Sequence, residues 1–101
     1  MQMYIQNVRV DGFEWDAGNS DKCQKHGMTQ IEIEQVFGNV VQLVSDAAHS
    51  QDEARNLLIG RTLANRSAFV VFTLRRHGEL VLVRPLSARY MHAKELKRYE
   101  P

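Results

Sequence analysis

The sequence predicts one α+β domain in which two N-terminal helices and one C-terminal helix pack on a roughly four-stranded antiparallel sheet. Helix start and stop signals fall early in the chain and again at its end, and apolar runs fill the segment between them. The links between these runs are too short for a parallel crossover, which takes about a dozen residues. The chain has 101 residues, of which 44% are hydrophobic and 25% charged, so we expect residues 1–101 to form a single domain with one core.

The first half of the chain is predicted to contain an extended segment, residues 4–10, followed by two short helices. Asn19 suits an N-cap and Gly27 suits the position that ends a helix, so the first helix covers about residues 20–26. Thr29 and Glu32 have the spacing of a capping box at the start of the second. The apolar residues that follow recur at i, i+3, i+4 and i+7, which is typical of a helix that faces the core.

Strand-forming residues dominate the chain from residue 40 onward. The predicted strands are 40–44, 56–63, 68–75 and 79–86, and a helix is predicted over 91–99. The run 68–74 is apolar without alternation, which indicates a central strand buried on both faces. Because Pro85 lacks a donor for the hydrogen-bond ladder, it predicts an edge position or a bulge.

Charge is segregated along a chain whose total is nearly neutral. The formal net charge is +1. Residues 1–54 carry three basic and nine acidic side chains, a net charge of −6, and residues 55–101 carry ten basic and three acidic ones, a net charge of +7. Such asymmetry between the halves of a chain indicates a polyanionic partner.

Composition excludes several classes of protein. No apolar run approaches the roughly 18 residues that a membrane-spanning helix needs, so no membrane contact is expected. The first 16 residues lack a basic region followed by an apolar one, which argues against secretion. The lone cysteine, Cys23, cannot form an internal disulfide and suits a reducing compartment. We therefore expect a cytoplasmic protein.

Motifs for cofactors and metal ions are missing from the sequence. The six glycines do not cluster into a phosphate-binding loop, and the four histidines do not recur at the spacing of metal ligands. No nucleophile-elbow pattern surrounds a serine. We expect neither a cofactor nor a bound metal ion.

Arginine side chains carry the candidate chemistry. Four of them lie in or at the ends of predicted strands: Arg61, Arg75, Arg84 and Arg89. The planar guanidinium group matches the oxygens of a phosphate bidentately. Any single one could instead form a structural ion pair with Glu79, Asp52 or Glu53. Together with the basic side chains of the last helix, Lys94, Lys97 and Arg98, the set predicts a phosphate-binding face.

A face of this kind needs few additions to cleave RNA without a metal ion. The 2′-hydroxyl group attacks the adjacent phosphate once a base takes its proton, arginines stabilise the developing charge, and an acid protonates the leaving oxygen. The side chains suited to proton transfer are His26, Tyr99, Glu95 and Lys25. The alternatives are that His26 only caps its helix and that Tyr99 only packs the last helix.

Short strings of residues follow one another in a characteristic order along nearly the whole chain. They are Phe13-Glu14-Trp15-Asp16, Gly18-Asn19 with Lys22, Lys25-His26-Gly27, Glu32 with Val36-Phe37, His49-Ser50, Glu53 with Arg55, Leu58-Ile59-Gly60-Arg61-Thr62, Val70-Val71-Phe72-Thr73 with Arg75, Ser87-Ala88-Arg89-Tyr90-Met91, and Glu95 with Tyr99-Glu100. In this order and spacing they resemble the BrnT family, the toxin half of a bacterial type II toxin–antitoxin pair.

The resemblance implies a RelE-like fold and a ribonuclease that arrests translation in the bacterial cytoplasm. It places phosphate binding and charge stabilisation on Arg61 and Arg89, and proton transfer on Glu95 or Tyr99 of the last helix or on Lys25-His26. The remaining basic side chains are expected to contact RNA: Lys25, Arg75, Arg84, Lys94 and Arg98.

The resemblance also implies a partner protein. This is a cognate BrnA-type ribbon-helix-helix antitoxin, and the toxin would meet DNA only through the complex. We expect the antitoxin to cover the face that carries the arginines. Two other readings remain open: a non-catalytic module that binds RNA or a protein, and a degenerate toxin retained as an antitoxin or co-repressor partner.

Overall fold

The protein is described from a computed structural model that covers residues 3–46 and 54–99. Five residues named above lie outside the described residues: His49, Ser50, Glu53 and Glu100 of the resemblance, and Asp52, which with Glu53 was a candidate ion-pair partner. The elements, in chain order, are β1 (Met3–Ile5), β2 (Val8–Val10), β3 (Gly12–Phe13), α1 (Ser20–Gln24), α2 (Gln30–Val36), β4 (Val40–Asp46), β5 (Arg55–Arg61), β6 (Ser67–His77), β7 (Leu80–Tyr90) and α3 (Ala93–Tyr99).

The main sheet has five strands in the order β3-β7-β6-β5-β4, and it is mixed. Strands β4 to β7 pair antiparallel, but β3 pairs parallel with β7, with Phe13 opposite Val83. Strands β1 and β2 form a separate two-stranded sheet. The predicted RelE-like architecture, with two N-terminal helices and one C-terminal helix packed on a roughly four-stranded antiparallel sheet, is therefore wrong.

The extended structure predicted over residues 4–10 is confirmed as β1 and β2, whereas β3 was missed because its signal in the sequence is weak. Strand β3 has only two residues, too few for an alternating pattern, and its partner lies about seventy residues further along the chain. Strands β1 and β2 are joined by Gln6 and Asn7, which both have positive φ. Such a turn is usually recognised by an asparagine or aspartate followed by glycine, and the turn residues Gln6-Asn7 are neither pair.

The two N-terminal helices begin where their start signals lie. At α2 the capping box is confirmed, because Glu32 N donates to Thr29 Oγ1 at 3.1 Å and Thr29 N donates to Glu32 Oε1 at 3.0 Å. Helix α1 ends at Gln24, two residues before the predicted end. Asn19 occupies its N-cap position without a side-chain cap; its buried amide instead donates to the carbonyl oxygens of Glu14 and Pro85 at 2.9 Å each.

Strand β6 is the central strand of the sheet, as its unbroken apolar run predicts. The prediction that β6 is buried on both faces is wrong, because α2 packs on one face only: Val70 and Phe72 lie in the core, while Phe69 and Val71 on the opposite face are only half-buried. The register between β6 and β7 shifts where Pro85 enters, which confirms the predicted bulge. Beyond the bulge, β7 pairs with β6 again as far as Tyr90. This last part of β7 carries the candidate site.

The three helices do not share one face of the sheet. Helix α2 packs on the core face, whereas α3 contacts side chains of the other face. The ring of Tyr99 meets the ring of Phe69 edge-on at 5.5 Å, and Glu95 pairs with Arg89. No residue of α3 is buried. The sheet is therefore covered on one face and largely open on the other.

Candidate nucleic-acid interface

Strand alternation and register gather the candidate site on the face of the sheet opposite the core, which we call the open face. Phe69 lies opposite Arg89 across the β6–β7 pair, and Val71 lies opposite Ser87. Leu57 of β5 lies opposite Val71 on its other side. Since cross-strand partners project from the same face, these five side chains form one continuous surface.

Two concavities meet on this surface. The first, which we call the Arg89 groove, has a volume of about 340 Å³. It is lined by His26, Leu57, Phe69, Val71, Ser87, Ala88 and Arg89. The second, the Lys22 groove, has a volume of about 420 Å³. It is lined by Gly18, Asn19, Lys22, Lys25, His26, Arg55, Val71, Leu86 and Ser87. The two grooves share His26, Val71 and Ser87, so they form one path across the open face.

The Arg89 guanidinium forms a bidentate ion pair with Glu95. Its Nη1 and Nη2 donate to the two carboxylate oxygens at 2.7 Å each, and His92 N donates to Glu95 Oε1 at 2.9 Å. These hydrogen bonds, chiefly those from Arg89, lower the pKa of Glu95 to about 2. At neutral pH the Arg89 fork therefore holds a fixed anion of the size and geometry that a phosphate group would present.

Aromatic rings frame the same guanidinium. The Arg89 Cζ atom lies 4.7 Å from the centroid of the Phe69 ring, and the edge-on contact with Tyr99 covers another side of that ring. The Arg98 guanidinium lies 5.5 Å from the Tyr99 ring, and Lys94 is exposed on the same helix. The predicted proton-transfer candidate Tyr99 thus packs against Phe69 and does not itself line the Arg89 groove.

The end of α1 brings three basic or titratable side chains to the grooves. Lys22, Lys25 and His26 have the spacing i, i+3 and i+4, which places them on one side of the helical turn. His26 lines both grooves and is exposed. It therefore faces the same space as Arg89, although 62 positions of sequence separate the two residues.

Arg61 lies at the end of β5, half-buried, and pairs in register with Ser67. Its backbone N–H donates to the carbonyl of Asn39 at 3.0 Å. Because side chains alternate between the two faces along a strand, Arg61 projects from the open face. It lies in the cross-strand row next to the one that contains Phe69 and Arg89. Arg61 lines neither groove.

Two of the predicted RNA-binding arginines belong to a separate carboxylate cluster. Arg84, only 8% exposed, donates to Glu14 Oε1 and to both oxygens of Asp16 at 2.8 to 3.0 Å. Arg75 and His77 also contact Glu14, at 3.3 and 2.5 Å. The acidic first half of the chain thus supplies counter-charges for part of the basic second half.

The cluster shifts the pKa values of its acids. Burial tends to raise the pKa of Glu14, but hydrogen bonds from His77 and Arg84 and the charge of Arg75 bring it below its ordinary value. The hydrogen bond from Arg84 also lowers the pKa of Asp16. A carboxylate whose pKa is depressed on folding stabilises the native state above its unfolded pKa and loses that effect as the pH falls through the folded value.

We expect Arg84→Met to destabilise the fold by roughly 2–3 kcal/mol, because it leaves Glu14 largely buried without its main partner. The difference from wild type should shrink below about pH 4.5, the ordinary pKa of a glutamate, as the carboxylates take up protons. Urea denaturation at pH 7 and pH 4 measures both effects. Arg76→Met, which removes an exposed arginine on the neighbouring strand β6, is the matched control. If Arg84→Met were as stable as this control but bound RNA more weakly, Arg84 would be assigned to RNA binding instead of stability.

Sequence reasoning missed three residues that line the grooves: Lys22, Arg55 and Ser87. Lys22 could have been found from its i, i+4 spacing to His26. Arg55 and Ser87 could not have been found in this way. They meet at the Lys22 groove only because the strand register places Leu57, Val71 and Ser87 in one row across three strands.

Within residues 3–46 and 54–99, no three His, Cys, Asp or Glu side chains are gathered so that they could hold a metal ion. No helix in the same two ranges is long and apolar enough to cross a membrane. Cys23 is completely buried, and burial raises its pKa to about 11, so it remains a thiol inside the core.

The fold and the grooves define a small α+β protein with a basic, partly apolar sheet face suited to a polyanion. A protein-family model described as "Ribonuclease toxin, BrnT, of type II toxin-antitoxin system" matches residues 15–95. The chain therefore belongs to the BrnT family of ribonuclease toxins, and the resemblance noted from its residue strings is confirmed. A search of curated proteins gives no match.

Proposed function

We propose that this chain is a metal-independent endoribonuclease that arrests translation in the cytoplasm and is neutralised by a BrnA-type antitoxin. The observation that carries the proposal is the Arg89 groove, in which a guanidinium already holding an anion faces an exposed histidine. Ribonuclease chemistry of the 2′-hydroxyl type needs an anion-stabilising group and a proton-transfer group at one phosphate. Arg89 and His26 supply that pair.

Arg89 is the proposed site of the scissile phosphate. The Glu95 carboxylate occupies its fork in the structure, so a phosphate group would replace Glu95 oxygen for oxygen. The charge on the phosphate grows when the 2′-oxygen attacks, and a bidentate guanidinium stabilises that charge more strongly than the ground state.

His26 is the proposed proton-transfer residue. It removes the proton of the 2′-hydroxyl group; the 2′-oxygen bonds to phosphorus as the bond from phosphorus to the 5′-oxygen breaks. Water protonates the leaving 5′-oxygen, and the imidazolium formed at His26 returns its proton to the resulting hydroxide. The products are a 2′,3′-cyclic phosphate and a 5′-hydroxyl group. Glu95 is a weaker candidate while it is paired, because a carboxyl group with a pKa of about 2 carries no proton at neutral pH.

The remaining basic side chains divide into two groups in this proposal. Lys25, Lys94 and Arg98 are exposed beside the grooves or on α3 and are available to phosphates of the RNA backbone. Arg75 and Arg84 are neutralised by Glu14 and Asp16 and are assigned to stability. Arg61 borders the open face and is assigned to RNA contact next to the Arg89 groove.

The test is incubation of the purified chain with single-stranded RNA in the presence of EDTA. We expect cleavage to continue and the fragments to carry 2′,3′-cyclic phosphate ends, detectable by mass spectrometry. RNA that is bound but left intact would instead indicate the non-catalytic binding module. Cleavage that stops with EDTA and returns with Mg²⁺ would overturn the metal-independent mechanism.

The open face is also the proposed antitoxin site. Phe69, Val71 and Leu57 offer apolar area there, and the surrounding cations favour an acidic or polar segment. An antitoxin seated on this face excludes RNA from both grooves. In the purified complex, RNA cleavage should be lost, and His26 should become protected from chemical modification.

A further inference from the structure

Apart from His26, which it shares with the Arg89 groove, the Lys22 groove takes no part in the proton transfers just described, yet it gathers three cations from two separate elements. Lys22 and Lys25 come from the end of α1, and Arg55 comes from the start of β5. Within the described residues none of the three forms an ion pair, whereas Arg75, Arg84 and Arg89 each have a carboxylate partner. Like charges that converge on one concavity repel unless an anion lies between them.

The floor of this groove is small and largely uncharged. Gly18 and Val71 line it, and the exposed side chain of Ser87 lies where it joins the Arg89 groove. A sugar–phosphate backbone fits such a surface, because the cations contact phosphate oxygens while the floor admits the ribose.

We infer that the Lys22 groove is a second phosphate subsite, which holds the RNA phosphate next to the one that is cleaved. The inference rests on the proposed function, since it takes the Arg89 groove as the cleavage site. Ser87 lies between the two subsites and is a hydrogen-bond donor within reach of either. His26 lines both grooves, so the proton-transfer residue lies between the scissile phosphate at Arg89 and the neighbouring phosphate in the Lys22 groove.

The ligand class that this arrangement selects is single-stranded RNA with at least two phosphates. The apolar floor of the Arg89 groove, Leu57 with Phe69 and Val71, can receive a base only if that base is unstacked from its neighbours. A cationic track beside an aromatic platform is the usual way in which proteins bind single strands.

The experiment compares a substrate with one phosphate and a substrate with several. In the double variant Lys22→Ala/Arg55→Ala, we expect the ratio of kcat/KM for a single-stranded hexamer to that for a dinucleoside monophosphate to fall at least tenfold. The matched control is Arg9→Ala/Arg76→Ala, which removes two exposed cations that line neither groove and should keep the wild-type ratio.

A binding measurement separates this inference from the proposed function. Affinity for an uncleavable 2′-O-methyl hexamer, measured against salt concentration, should lose a slope of about 0.7 for each phosphate contact removed. A hexamer-to-dinucleotide ratio and a salt slope both equal to those of the wild type would overturn the second subsite. A reduced slope in a protein that cleaves no RNA would overturn the cleavage proposal and leave the phosphate subsite supported.

Discussion

Arg89→Ala is expected to lower kcat/KM for RNA by about 10²–10³-fold, the effect typical of removing one group that stabilises an anionic transition state. The guanidinium is the group whose two donors already hold a carboxylate at 2.7 Å. Arg89→Lys keeps the charge but loses the fork, so most of the loss should remain. Single-turnover cleavage of a labelled RNA measures both variants.

Glu95→Gln is the matched partner of this experiment. It removes the anion that competes for Arg89 and should tighten binding of 2′-O-methyl RNA several-fold, while Arg89→Ala weakens it. If Glu95→Gln abolished cleavage and left binding intact, proton transfer would be assigned to Glu95, as the family resemblance allows. Wild-type cleavage by Arg89→Ala would remove Arg89 from the mechanism altogether.

His26→Ala is expected to lower the cleavage rate by about 10²–10⁴-fold, the usual contribution of a general acid–base group. Binding of 2′-O-methyl RNA should change far less, because the cations around the grooves remain. Imidazole added to the His26→Ala protein should restore part of the rate, since it can enter the exposed space that the side chain leaves.

His92→Ala is the control for this variant. His92 is also exposed, lies at the start of α3 and lines neither groove, so its loss should leave cleavage within about twofold of wild type. An equal loss in both variants would mean that the effect of His26→Ala is not specific to the groove.

The sequence predicted those parts of the fold that depend on local signals. The capping box at Thr29 and Glu32 and the central position of β6 are examples. Strand β3 could not be predicted, because two residues make no pattern and their partner on β7 is distant in the chain. The same holds for Asn19, which suits an N-cap in isolation but is drawn into the core by the carbonyl groups of Glu14 and Pro85.

The candidate site was predictable in its residue types but not in its arrangement. His26 and Arg89 were singled out from their chemistry, and the structure brings them to one groove. Arg84 has the same residue type and a similar strand setting, but its neighbours Glu14 and Asp16 come from a loop that no local pattern pairs with β7. Whether an arginine is free for a ligand depends on such long-range partners.

The ion pair between Glu95 and Arg89 has a consequence for which anions can enter the site. Glu95 is attached to the same chain only six residues away, so its effective concentration at Arg89 is far above that of a free anion in solution. If Arg89 is the phosphate site proposed above, inorganic phosphate or a mononucleotide, which offers a single contact, is expected to compete poorly with Glu95. A polymer that also binds at the proposed second subsite is expected to displace the carboxylate, so the ion pair would discriminate against small phosphates.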